Sequence, residues 1–322
     1  MTDVPRAPVD PAPLATPPTH PRRLVYLGTP EMAVAPLRAL HRAGHDIALV
    51  VSRADAKRGR GGTLTPSPVK AAARELGLPV TDALDDALDV GADLGVVVAY
   101  GRIIGRSVLE QLPMVNLHFS LLPRWRGAAP VERAILAGDE RTGVDVMAVE
   151  EGLDTGGIYA AAVVPIGPDT TAAELRDELV TVGASLLVDT LAAGLGAPRP
   201  QEGETTYAEK LRTADFEIDW TRPAVEIHRI VRVGGAWTTF REKRFKVWRT
   251  ELVTGADDQL ALADAAELAP GGLAPGALAG DRVGTGSGAL RLVEVQPDGK
   301  ARQDAAAWRN GARPSPDDRL GS

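Results

Sequence analysis

Cysteine is absent from the 322 residues, which excludes structural disulfides, thiolate nucleophiles and any zinc or iron–sulfur site held by cysteine. Chemistry in this chain must come from other side chains. Long uninterrupted apolar runs are missing too, so neither a membrane-spanning helix nor the apolar core of an export signal is expected, and the expected compartment is the cytoplasm. A GxGxxG fingerprint is also lacking. The turn after the first predicted strand reads Gly28-Thr29-Pro30-Glu31, which argues against a nicotinamide dinucleotide.

What is present is ordinary for a soluble protein: 44% hydrophobic and 25% charged residues. The length exceeds what one hydrophobic core usually serves and implies two domains. Seven of the first 21 residues are proline, so 1–21 is expected to be a disordered tail. Short apolar runs at Leu24–Leu27, Ile47–Val51, Leu94–Tyr100, Val115–Phe119 and Val144–Val149 alternate mostly with helical patterns, among them Pro30–Leu40 and Thr171–Leu195. Residues 22–200 are therefore expected to form a doubly wound α/β domain with a mostly parallel sheet. Polar, irregular sequence over 201–217 reads as a linker. Beyond it, a helix at Ala224–Val233 and β-prone runs at Trp237–Phe240, Phe245–Trp248 and Ala289–Val295 suggest a small antiparallel barrel over 218–322. The Ala/Gly/Pro-rich stretch Leu260–Gly280 reads as a surface excursion.

Net charge is −7, against indiscriminate nucleic-acid binding, yet the distribution is uneven. From His228 to Arg249 seven basic residues, among them Lys243, Arg244 and Lys246, oppose only Glu242. A second cluster, Arg53, Lys57, Arg58 and Arg60 against Asp55, occupies a Gly-rich loop. Charge runs alone read as solvated faces.

Asn116-Leu117-His118-Phe119-Ser120 ends a predicted strand. Alternation puts Asn116, His118 and Ser120 on one side. Three polar side chains on one side of a strand are costly to bury without a purpose, and the carboxyl ends of parallel strands are where ligands bind. Other arrangements carry less. Asp154-Thr155-Gly156 matches an aspartic-protease triplet, but one copy in an α/β context lacks the second carboxylate. His41 and His45 are spaced like helical metal ligands, but Gly44 between them is expected to end the helix. No metal is expected.

Ser120 to Pro130 (SLLPRWRGAAP) and, some thirty residues on, Leu153 to Gly157 (LDTGG) together resemble methionyl-tRNA formyltransferases. GTPE at Gly28–Glu31, GRG followed by TPSPVK at Gly59–Lys70, VVVAYG at Val96–Gly101 and TYAEKL at Thr206–Leu211 add to the resemblance. It implies a formyltransferase fold followed by an OB-like barrel. It also implies that Asn116, His118 and Asp154 are catalytic, that Ser120, Leu121, Leu122 and Pro123 line the site for 10-formyltetrahydrofolate, and that Arg58, Arg60, Lys243, Arg244 and Lys246 meet tRNA. Partners would be the folate donor and initiator methionyl-tRNA, with no membrane and a monomeric enzyme. Gly62 and Thr63 stand where many relatives have lysines, and Phe119 where glycine is frequent. Two rivals remain: a sugar-nucleotide or glycinamide ribonucleotide formyltransferase sharing the Asn/His/Asp core, and a noncatalytic tRNA-binding protein on the same fold.

Overall fold

The computed structural model describes residues 13–58, 62–253 and 273–322. The chain divides into two compact units: one takes the chain to Pro130, Arg141–Pro165 and Arg176–Ala208; the other takes Val131–Glu140, Ile166–Leu175 and Glu209–Ser322.

The first unit is built on β1 (Arg23–Gly28), β2 (Asp46–Val51), β3 (Ala56–Arg58), β4 (Thr63–Thr65), β5 (Val80–Thr81), β6 (Leu94–Val98), β7 (Met114–His118), β8 (Arg126–Gly127), β9 (Arg141–Ala148), β10 (Ile158–Pro165) and β11 (Tyr207–Ala208). Seven of these form one sheet in the order β10-β9-β7-β6-β1-β2-β5. Pairing is parallel from β5 to β7 and antiparallel for β9 and β10. The parallel part agrees with the continuous apolar runs: every residue of β6 is buried, as a strand covered on both faces requires. Strand order reverses between β1 and β6, and the loops leaving their carboxyl ends are joined by a hydrogen bond from Thr29 Oγ1 to Tyr100 O. That reversal is where open α/β sheets bind ligands.

Helix α1 (Val34–Arg42) stops at Ala43, and Gly44 follows at φ +84°. The expected break between His41 and His45 is thus present. Ser67 caps α2 (Pro68–Glu75), its side chain accepting from Lys70 N at 3.0 Å, with Pro68 at the first helical position. A short helix, α3 (Arg106–Leu109), follows β6, and α4 (Pro130–Ala137) precedes β9. The 22-residue α5 (Ala172–Ala193) begins with a reciprocal cap: Glu174 accepts from Thr171 N, and Thr171 Oγ1 from Glu174 N. Of the Pro-rich segment expected to be disordered, residues 13–21 lie against this unit. Ala15 N donates to Leu109 O, Leu195 N donates to Thr19 O, and Leu14 packs on the core around Leu109. Two backbone bonds and an apolar anchor hold this proline-rich segment, which has few N–H groups to satisfy.

The second unit carries α6 (Ala224–Val233), β12 (Trp237–Phe240), β13 (Lys243–Leu252), β14 (Leu278–Ala279), β15 (Arg282–Gly284), β16 (Ala289–Pro297), β17 (Gln303–Asp304) and α7 (Ala305–Ala312). Its antiparallel sheet runs β12-β13-β16-β15-β14, with β17 on β16. Among the described residues this sheet does not close on itself, so it stands as a β domain. Phe245 and Val247 of β13 point inward, where Phe245, tilted, and Phe240, edge-on, pack against Trp308 of α7 with ring centroids 4.7 and 5.1 Å away. Leu136 of α4 packs on the same core. Part of Leu260–Gly280, the expected surface excursion, lies outside the described residues.

Candidate active site

β7 carries two of the three side chains singled out by alternation, Asn116 and His118, and Ser120 lies two residues past its end. Asn116 is opposite Val97 of β6 and Met147 of β9, and His118 is opposite Asp145 of β9. Leu117 and Val144 face the other way, onto Gly183 of α5. Asn116, His118 and Asp145 therefore share one face of the sheet. The Asn116 carboxamide is partly buried and makes no hydrogen bond to another described residue, which leaves its N–H groups for a ligand.

His118 is almost wholly buried, with Nε2 3.0 Å from Trp125 O and Nδ1 3.6 Å from Asp154 Oδ2. The second distance is an ion-pair separation, too long for a hydrogen bond. Burial pushes the imidazole pKa down, while the Asp154 charge and the Trp125 carbonyl pull it back. Both ring nitrogens thus face acceptors, the arrangement that favours a second proton on the ring.

Asp154 is held at φ +51°, a left-handed conformation that Asp and Asn tolerate better than most residues. Its Oδ2 accepts from Gly127 N at 2.8 Å. Gly127 needs its φ of +120°, and a Cβ there would sit 3.0 Å from Ala208 O. Gln201 fastens the loop from the other side. Its Nε2 donates to Asp154 O and Gly156 O at 2.8 Å each, and its Oε1 accepts from the Arg126 guanidinium.

Ser120 donates to Arg124 O at 2.6 Å, and the Leu122–Pro123 peptide is cis. Ser120, Leu122 and Pro123 are buried; of the four residues expected to meet the donor, Leu121 alone is partly exposed. This turn offers a ligand its backbone and one leucine. Leu122 N donates to Asp145 Oδ2 at 2.7 Å. Asp145 is 1% exposed, its Oδ1 lacks a partner among the described residues, and burial pushes its carboxyl up to about 7 against the opposing pull of the Leu122 N–H and Arg199.

The structure thus brings Asn116, His118, Asp154 and the Ser120–Pro123 turn together. Arg58 ends β3, and Arg60 lies outside the described residues. Lys243, Arg244 and Lys246 belong to β13 of the second unit. There the Arg244 guanidinium sits over Trp237 at 4.4 Å and the Lys246 amine over Trp248 at 5.6 Å, forming a basic, aromatic face. Asp145 and Gln201 carry no sequence motif, and Thr206 stood out only as the start of TYAEKL. Thr206 Oγ1 accepts from Trp125 N, and β11 pairs with β8, so residues 201–208, read as linker, are bound into the site. A signal for Asp145 existed: it is the one acid inside an apolar strand.

A family model described as formyl transferase matches residues 22–191, and one described as formyl transferase, C-terminal domain, matches 210–313. A methionyl-tRNA formyltransferase of Symbiobacterium thermophilum is 45% identical over 90% of this chain and 92% of its own length. The chain belongs to the methionyl-tRNA formyltransferase family. Proteins of that name from Clavibacter michiganensis (45% identical, 90% of this chain and 97% of that one) and Streptomyces coelicolor (42%, 93% and 99%) agree. Among solved structures, a sugar 3N-formyl transferase, WlaRD, superposes with a TM-score of 0.62 at 16% identity, covering 87% of this chain and 98% of that one. An N-formyltransferase from Helicobacter canadensis gives 0.60 at 15% identity, over 86% and 99%. At such identities these two speak for the fold alone. Among the described residues no group of three or more His, Asp or Glu side chains could hold a metal ion, and no helix is long and apolar enough to cross a membrane.

Proposed function

We propose that this chain transfers the formyl group of 10-formyltetrahydrofolate to the amino group of methionyl-initiator tRNA. The observation that carries the reading is the placement of an unbonded Asn116 carboxamide, a His118 ring paired with Asp154, and the Ser120–Pro123 turn on one face at the end of β7. The attacking amine is itself the nucleophile, so no covalent enzyme intermediate is needed.

When the amine attacks the formyl carbon, its nitrogen becomes cationic and the formyl oxygen anionic. Asn116 donates to that oxygen, a contribution of roughly 3–4 kcal/mol for one donor. His118, held between Trp125 O and Asp154, gives or receives the proton that leaves the amine and ends on the departing folate nitrogen. The carbon–nitrogen bond to folate then breaks, and formylmethionyl-tRNA and tetrahydrofolate result. Ser120, Leu121, Leu122 and Pro123 bound the donor, chiefly through backbone groups.

The β12–β13 face supports a tRNA role for Arg244 and Lys246, whose cations lie over aromatic rings suited to stacking, with Lys243 adding charge at the exposed start of β13. Arg58 and Arg60 would add contacts from the Gly-rich loop. The second unit would then act as an OB-like tRNA-binding domain, built mainly on Glu209–Ser322, and the first as the catalytic domain. A cytoplasmic monomer completes the reading. Formyl transfer from 10-formyltetrahydrofolate to charged initiator tRNA, run beside elongator tRNA and a sugar amine, tests it; transfer to the sugar amine alone would overturn it.

A further inference from the structure

β9 reads Val144-Asp145-Val146-Met147. Val144 faces α5, while Asp145 faces the catalytic side as the register partner of His118. An ionisable group at 1% exposure on an apolar strand is costly unless it does something there. Among the described residues, its Oδ2 takes one hydrogen bond, from Leu122 N, and its Oδ1 takes none. A neutral Asn could supply that single acceptor at lower cost, so the charge is what needs explaining.

We propose that Asp145 is a positioning residue for the donor side of the site, its carboxyl pinning the Leu122 backbone, and with it the Ser120–Pro123 turn, in a charge-dependent way. The proposal rests on the folate reading of that turn. As a carboxylate, Asp145 accepts the Leu122 N–H in a charge-assisted bond; as a neutral acid it makes a weaker one and leaves an O–H without an acceptor. Among the described residues, three charged or titratable groups bear on it. His118 stands across on β7, with Asp154 behind it, and Arg199, on the segment paired with Ile158 of β10, is the cation whose field reaches the carboxyl. Ala161 is its neutral neighbour on β10, and α5 packs on the opposite face. Burial brings the carboxyl to about 7, so both charge states are populated near neutral pH. The turn is then held more firmly as pH rises.

The test is the affinity for tetrahydrofolate by calorimetry, together with donor KM and kcat, between about pH 6 and 8 where the group titrates. The unmodified chain should bind more tightly as pH rises through the carboxyl's range. Asp145→Asn should keep binding but lose that dependence. Asp145→Ala should weaken donor binding roughly tenfold, the loss of one hydrogen bond to a charged group, with kcat at saturating donor unchanged. An Asn variant that keeps the wild-type pH response would overturn the proposal, as would an Ala variant that loses kcat with donor affinity intact. If the Ala variant does not fold, the Asn comparison decides alone. Failure of the unmodified chain to bind tetrahydrofolate at all would remove the proposed function itself, and this inference with it.

Discussion

Replacing Asp154 by Asn separates charge from shape at the centre of the site. The amide oxygen of Asn can still accept the Gly127 N–H, and Asn tolerates the φ of +51°, so the loop should keep its form. Gln201 continues to hold the backbone of residues 154 and 156. What disappears is a unit charge 3.6 Å from His118 Nδ1. At an effective dielectric of about 20 such a pair is worth about 4–5 kcal/mol, roughly three powers of ten in the ratio of protonated to neutral ring. The Asp154 side chain is 15% exposed, so solvent screens only part of this. Burial already outweighs the Asp154 charge on His118, so removing that charge disfavours the protonated ring further, and His118 should no longer take up the proton it relays. Turnover should fall by about 10²- to 10⁴-fold, the range for loss of a general acid or base. Single-turnover formyl transfer with both substrates saturating measures it, and donor and tRNA affinities should change little. A folded Asn variant with near-normal turnover would refute the reasoning and leave Asp154 as a turn residue only.

Asp145→Asn should stabilise the fold at neutral pH. A carboxyl raised from 3.8 to about 7 supports folding fully below 3.8 and progressively less as pH rises to about 7, so the variant's advantage should grow over that window. It should reach at most about 4 kcal/mol; equal melting-temperature differences at low and neutral pH would contradict this. Gln201→Ala should slow turnover with little change in folate affinity, because two carbonyls of the Asp154 loop lose their donor; stopped-flow transfer rates would show it, and an unchanged rate would count against it. Reversing charge at Arg244 and Lys246 together should weaken tRNA binding and flatten its salt dependence, with tetrahydrofolate affinity untouched; filter binding over a salt series decides.

Much of the candidate site was legible because strand periodicity is a local property. The Val96–Val98 run became the fully buried β6, and the alternation in Asn116-Leu117-His118 put both polar side chains on one face. The polar segment 201–208 carries no such pattern. Its order comes from bonds between residues about as far apart as Gln201 and Arg126 or Thr206 and Trp125, which only the folded chain brings together. Asp145 was visible as an acid in an apolar strand, but its contact with Leu122 N was not. In the second unit, β-prone runs marked β12, β13 and β16, whereas the inward placement of Phe245 and Val247 and the assignment of 131–140 and 166–175 to that unit depend on tertiary packing.

The makeup of the second unit from three stretches of chain bears on how the protein is made. Leu136 belongs to the core around Trp308, and the carbonyls of Gly167 and Thr170 are bonded by Arg232, so two early segments have their partners far downstream. On the ribosome, those segments emerge well before α6 and α7 exist, and their apolar and polar groups stay unmatched until translation is nearly complete. A premature stop anywhere before Trp308 would therefore strand surfaces in the middle of the sequence as well as shorten its end. Nascent-chain folding of this unit should come as one late event after release.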